Sequence, residues 1–233
     1  MSRSQDAALA AALARMRQTL GPLAGAGRDG QSPRERIARP PRGPVPARIT
    51  AAGNAIERLF IETARAAGAS VETVPGLAAV PARIAAYLAG QGLAPRLHRA
   101  PDAFTRAVPF PDGTIELAEG PLPPEGGIAL ASAEAGLAET GSLVVRSGPD
   151  RPLAVHLVPE TEIVLLDAGD VLPSQEALWE RLRRAGGALP RDLTLVTGPS
   201  RTGDIEMRVE MGAHGPRRLH ILLVGGAPEE TAD

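Results

Sequence analysis

The chain has 233 residues, a formal charge of −2 at pH 7 and an isoelectric point of about 6.1. Its bulk charge therefore gives no attraction to nucleic acid or anionic lipid, and five aromatic residues (three Phe, one Tyr, one Trp) leave few platforms for stacking bases. Cysteine is absent, so disulfides, thiolate zinc sites, thiolate-held iron–sulfur clusters and cysteine nucleophiles are excluded. All 25 basic residues are arginine, which removes Schiff-base lysines and the phosphate-loop lysine.

The first apolar run, AALAAALA at residues 7–14, is far too short to cross a membrane and makes a poor signal peptide, so no membrane span and a cytoplasmic location are expected. Leu9, Leu13, Met16 and Leu20 instead recur at helical spacing. They predict an amphipathic helix, used for packing or for a partner, that stops at Gly21-Pro22. From Arg28 to Arg48 the chain carries six arginines, two acids and five prolines, which reads as an extended linker or wrapping arm without regular helix. The expected division is residues 1–48, helix plus arm, and residues 49–233, one α/β domain.

Ile56, Leu59, Phe60 and Thr63 share a helical face, ASVETV (69–74) reads as a strand, AVPARIAAYLAGQG (79–92) as a helix and RLHRA (96–100) as a strand. Residues 101–125 are broken by proline and read as loops, with a hairpin around Pro111-Asp112-Gly113. In GIALASAEAGLAETGSLVV (127–145) the pattern predicts a strand, a short helix opened by Ser132 and a second strand from Gly141. LAVHLV (153–158) and EIVLLD (162–167) have the length and β-branched content of strands. SQEALWERLRRAGG (174–187) is a helix with Ser174 as its N-cap, and DLTLVTG and RLHILLVGG are two buried strands. Short apolar runs that do not alternate imply a sheet covered on both faces, hence a three-layer α/β fold with ligands beyond the carboxyl ends of its strands.

Two phosphate-loop patterns fail on context. GAGRDG (25–30) has the G-x-G-x-x-G spacing but no strand before it and no helix after it. GPSRTGDI (198–205) has the G-x-x-x-x-G spacing, yet Asp204 and Ile205 stand where lysine and a hydroxyl residue belong. Read as a turn that opens a short polar helix, Gly198, Ser200, Arg201, Thr202, Gly203, Asp204 and Glu206 would still offer backbone N–H groups and a guanidinium to a carboxylate or phosphate. Equally, Asp204 and Glu206 could themselves complement the helix dipole, with Arg201 paired to one of them.

His214, between Gly212 and Gly215-Pro216, stands in a loop suited to a functional imidazole. A Ser200–His214 nucleophile lacks the G-x-S-x-G elbow. His156 and His220 fall in apolar runs, where a histidine bonded to a neighbour is the commoner reading, although His156 near Pro159 could face a site. Glu139-Thr140-Gly141 reads as a helix C-terminus, or as a carboxylate and hydroxyl that orient a polar ligand. No close pair of metal ligands occurs, and a metal site would have to be assembled from His156, His214, Glu139 and Asp204 across the sequence, so none is expected.

GLAETGSLVV, VHLVPETEIV, TGPSRTGDIE and MGAHGPRRLHILLV, in this order and spacing, resemble the LUD-domain family over roughly residues 50 to 225. The family commonly carries A-D-T-G-T where this chain has Glu139 and Ser142. The resemblance implies a fold like the ribose-5-phosphate isomerase and CoA-transferase group. It also implies an accessory role in oxidising L-lactate to pyruvate beside two iron–sulfur partners, one of which carries a LUD domain itself. Any cluster would then sit in the partners, and the small-molecule ligand here would be a small carboxylate or a phosphate-bearing cofactor. A second reading, drawn from the fold relatives, is a stand-alone enzyme that activates or transfers an acyl or formyl group.

Overall fold

The computed structural model describes residues 11–16, 18, 32–39, 43, 49, 54–119, 122–123, 126–186, 189–205 and 208–226. The chain divides into two compact units, Met1–Pro44 and Val45–Asp233. In the first, residues 11–16 are helical, and a second helix, α1, spans Pro33–Ala38. This corrects the expectation that proline keeps the arm free of helix. Pro33 sits in the first turn, where no N–H is needed, and Ser32 and Glu35 form a reciprocal capping box: the Glu35 N–H donates to Ser32 Oγ (3.3 Å) and the Ser32 N–H to Glu35 Oε2 (2.7 Å).

The second unit is organised by two strands that are buried along almost their whole length, β7 (Thr161–Asp167) and β12 (Arg218–Val224). Around them lie β1 (Ser70–Val74), β2 (Arg96–Arg99), β3 (Glu116–Ala118) and β4 (Ile128–Ser132), in the order β1-β12-β7-β4-β2-β3, with every pairing parallel. A parallel sheet buries both faces. Val164, Leu166, Leu219, Ile221 and Leu223 pack with Phe60, Ile61 and Ala64 of α2 (Asn54–Ala66). The alternate residues Ile163, Leu165, Leu222 and Val224 pack with Val80, Ile84 and Leu88 of α3 (Val80–Gly90). The mixed α/β fold with helices on both faces of a parallel sheet is therefore as expected.

A second, four-stranded sheet was not legible in advance. It runs β8-β5-β6-β9, from β5 (Ala135–Leu137), β6 (Ser142–Arg146), β8 (Val171–Leu172) and β9 (Leu193–Val196). The helix α6 (Gln175–Ala185), capped by Ser174 as predicted, packs Leu178 and Trp179 against it. Its Leu143 joins the core beneath α2.

Several local expectations are overturned. The short helix expected after Ser132 is strand β5, because Ala135-Gly136-Leu137 pairs antiparallel with Ser142–Val144 and is buried there. LAVHLV forms a one-turn helix, α5 (Ala154–Leu157), not a strand; Pro152 opens the turn by accepting from the Val155 N–H. Within residues 101–125, Asp102 caps the short helix α4 (Ala103–Arg106), and β3 pairs parallel with β2, so the expected hairpin at Pro111-Asp112-Gly113 is absent. β9 is only half-buried rather than a buried core strand.

His220 illustrates the cost of filling β12. It is 1% exposed, its Nδ1 lies 2.9 Å from Ser70 Oγ, and its ring stacks on Tyr87 at 3.9 Å between centroids. Burial pulls its pKa from 6.5 down to about 4. The unfolded chain thus takes up a proton at a higher pH than the folded one, so this contribution is intact above about 6.5 and is lost as pH falls toward about 4. Lowering the pH from neutral to about 4.5 should cost about 2 kcal/mol through this residue. Urea titrations of wild type and His220→Phe should diverge by that amount across the window, and parallel curves would refute it.

Candidate functional site

The segment expected to open a helix is a β-hairpin. β10 (Arg201–Ile205) pairs antiparallel with β11 (Arg208–Met211), with Arg201 opposite Met211 and Thr202 opposite Glu210. The backbone of Gly203 and Asp204 belongs to β10, and Glu206 lies outside the described residues. No helix N-terminus is present to attract an anion, because the chain gains more by pairing extended Thr, Ile and Val residues with a returning strand than by one isolated polar turn.

The turn before β10 is nevertheless closely held. Gly198 is buried with φ +70°, and a Cβ there would stand 2.2 Å from the Ala67 carbonyl oxygen at the end of α2. Arg201 Nη2 donates to that same oxygen and caps the end of α2; the Asp204 and Glu206 side chains with which it was expected to pair lie outside those described. Three bonds then fasten Ser200 to the 212–216 loop. The Ser200 N–H donates to Pro216 O (2.8 Å), the Gly212 N–H to Ser200 O (2.9 Å) and the His214 N–H to Ser200 Oγ (3.2 Å).

This fastening leaves a cavity of about 440 Å³ whose walls include His156, Thr197, Gly198, Ser200, Arg201 and His214. A neighbouring open cleft of about 540 Å³ shares His214 and adds Glu160 and Arg217. Glu160 and Arg217 immediately precede β7 and β12, so both cavities lie at the amino ends of the parallel strands. The expectation of a site beyond the carboxyl ends is corrected for these residues: the 212–217 loop enters β12 rather than leaving a strand of the main sheet.

Glu139, Thr140 and Gly141 stand apart from this cavity. They form the turn between β5 and β6, not a helix end, with the Gly141 N–H donating to Leu137 O at 2.8 Å. Their link to the site is indirect. Thr140 Oγ1 lies 2.6 Å from Ser142 Oγ, which lies 2.6 Å from Thr197 Oγ1 in the turn before β10.

His156 belongs to the cavity through a contact that sequence reading missed. Its Nδ1 lies 2.5 Å from Glu162 Oε1, with the two side chains 5% and 1% exposed. Burial raises the Glu162 pKa above the usual carboxylate range, and the bond to His156 acts in the opposite direction. The signal available in the sequence was the acid that opens EIVLLD, six residues after a histidine.

At the carboxyl ends, Ser132, Glu134 and Asp167 border a third cleft of about 340 Å³ with Arg146, Arg151 and Arg181. Its cations are spoken for: Glu134 Oε2 holds Arg146 and Arg151 at 2.9 Å each, and Asp170 Oδ1 holds Arg181 at 2.7 Å. Among the described residues no group of three or more His, Asp or Glu could hold a metal ion, and no helix is long and apolar enough to cross a membrane.

Residues 127–224, which hold the central strands β4, β7 and β12, the β10–β11 hairpin and the Gly-Ala-His-Gly-Pro loop, match the LUD domain family. Among curated relatives, YkgG of Escherichia coli strain K12 is 33% identical over 100 residues, covering 42% of this chain and 43% of that one. Lactate utilization protein C of Geobacillus kaustophilus is 31% identical over 101 residues, 42% of each chain, and that of Bacillus subtilis strain 168 is 31% identical over 100 residues, also 42% of each. The chain thus spans about two-fifths of the length of the curated relatives it matches. A solved DUF162 family protein from Deinococcus radiodurans has the same fold, with a TM-score of 0.55 at 23% identity over 75% of this chain and 100% of that one.

Proposed function

We propose that this chain is an accessory subunit of a cytoplasmic system that oxidises L-lactate to pyruvate, and that it holds a small carboxylate in the cavity between His156, Ser200 and His214. The observation that carries the role is the match of the LUD segment to relatives named lactate utilization protein C. The cavity supports the ligand class, because Ser200 has a hydroxyl proton to give and His214 an exposed ring, with the Arg201 guanidinium at the same wall. A phosphate-bearing cofactor would use the same donors.

With no cysteine, the chain cannot bind an iron–sulfur cluster through thiolates. Electrons from lactate would then pass through partner proteins, in this reading two iron–sulfur subunits of which one carries its own LUD domain. Deleting the gene is expected to abolish growth on L-lactate as sole carbon source while leaving growth on pyruvate intact. Wild type should restore growth, and a Ser200→Ala, His214→Gln double variant should not. Unchanged growth of the deletion strain on L-lactate would refute the role.

A further inference from the structure

Strand β7 is buried from Thr161 to Leu166, and Glu162 is the one ionisable side chain in that buried run. The pleat places it on the same face as Val164 and Leu166, which pack beneath α2. An acid at such a position is costly unless its oxygens are satisfied, and an apolar residue would fill the space more cheaply. Glu162 satisfies only half of this requirement. Oε1 meets His156 Nδ1 at 2.5 Å, whereas Oε2 is buried without a partner among the described residues.

His156 makes the other half of the argument. Proline on either side, Pro152 and Pro159, confines it to the single turn α5, and its Nδ1 is committed to Glu162. Nε2 has no hydrogen-bond partner among the described residues, on a residue that forms the wall of the 440 Å³ cavity beside Ser200 and His214. A carboxylate at Nδ1 fixes the tautomer with the proton there and the lone pair on Nε2.

We propose that His156 and Glu162 form a proton-holding pair for this cavity, in which His156 Nε2 takes the hydrogen bond offered by a protic small carboxylate and Glu162 is the positioning residue. The proposal rests on the reading that the cavity holds a small carboxylate. For a 2-hydroxy acid the hydroxyl hydrogen points at Nε2, while the ligand's carboxylate meets the Ser200 hydroxyl and the His214 ring. The pair keeps its shared proton between Nδ1 and Glu162, and no bond to carbon changes. Other charged groups at the same cavity are His214 and Arg201, whose Nη2 donates to the Ala67 carbonyl.

Two measurements on the purified full chain test this. In protein labelled with nitrogen-15 histidine, the ring of His156 should show a protonated Nδ1 and an unprotonated Nε2 at neutral pH. Glu162→Gln should keep that tautomer, because an amide oxygen still accepts. Glu162→Leu should lose it, a change that loosened packing alone would not produce with the Gln variant as control. A wild-type ring protonated at Nε2 would overturn the pairing.

Diethyl pyrocarbonate treatment of the wild-type chain followed by peptide mass spectrometry, which reads His156 and His214 separately, then reports whether Nε2 faces the cavity. His156 should be carbethoxylated, and the rate should fall roughly tenfold when L-lactate is present at about ten times its dissociation constant, as mass action requires. Failure of His156 to react, or reaction that neither L-lactate, pyruvate nor acetate slows, overturns the pair. Protection by another 2-hydroxy acid such as glycolate but not by L-lactate would leave the pair standing and refute the lactate reading instead.

Discussion

Gly141→Ala is expected to destabilise the second unit by more than about 3 kcal/mol, since it combines forced strain with a backbone collision. The residue has φ +67°, which an L side chain adopts at a cost. A Cβ there would stand 2.2 Å from Ala64 N, 2.4 Å from Thr63 C and 2.5 Å from Ala64 Cα. These are main-chain atoms of α2, so no rotamer change relieves the clash. Either the β5–β6 turn or the helix must retreat, and the bond from Thr63 Oγ1 to Ala138 O at 2.9 Å goes with it. Denaturant melts of the variant should show a lowered midpoint, and Gly141→Ala with wild-type stability would mean that the turn does not pack on α2 as described.

The second large effect belongs to Asp102. It is 1% exposed, and its Oδ1 accepts from the Phe104 N–H (3.0 Å), the Thr105 N–H (3.0 Å) and Ser132 Oγ (2.8 Å). One carboxylate therefore caps α4 and ties it to the end of β4. Asp102→Ala removes a helix cap, typically about 1 kcal/mol, and strands the buried Ser132 hydroxyl at about 1–3 kcal/mol more. A total near 3 kcal/mol is expected from chemical denaturation. Asp102→Asn should lose far less because an amide oxygen can still accept. A double-mutant cycle with Ser132→Ala should recover part of the loss, and strict additivity would show that the two side chains do not depend on each other.

Sequence patterns served well where one force dominates. β7 and β12 are apolar for most of their length, and α6 carries its own cap, acidic start and glycine stop, so burial and local chemistry agree. They served poorly where small residues leave the local preference flat. Ala135-Gly136-Leu137 became a strand because Ser142–Val144 returns beside it, and Arg201–Ile205 did so because Arg208–Met211 does. Both outcomes are decided by partners that periodicity cannot see.

The candidate site shows the same division. Ser200, Arg201, Gly198 and His214 were found as a group and do surround one cavity, with His156 arriving from a distant turn. The helix N-terminus that their spacing suggests is a strand, Arg201–Ile205, in the fold. Gly198 and Gly141 proved to be points of close approach to α2, and Arg201 a cap on its last carbonyls. Glu162 escaped notice because a single acid in an apolar strand has no periodic signature, and its meaning comes only from the histidine it meets.

The order of the main sheet also sets a timetable for folding. β1 is an edge strand whose pairing is with β12, and Ser70 stands opposite His220, so its hydrogen bonds wait for a segment made about 150 residues later. During synthesis at roughly 5–20 residues per second, that edge stays open for on the order of ten seconds. A nascent chain with an unpaired strand over that interval is exposed to pairing with its neighbours, and β12 acts as the closing clasp.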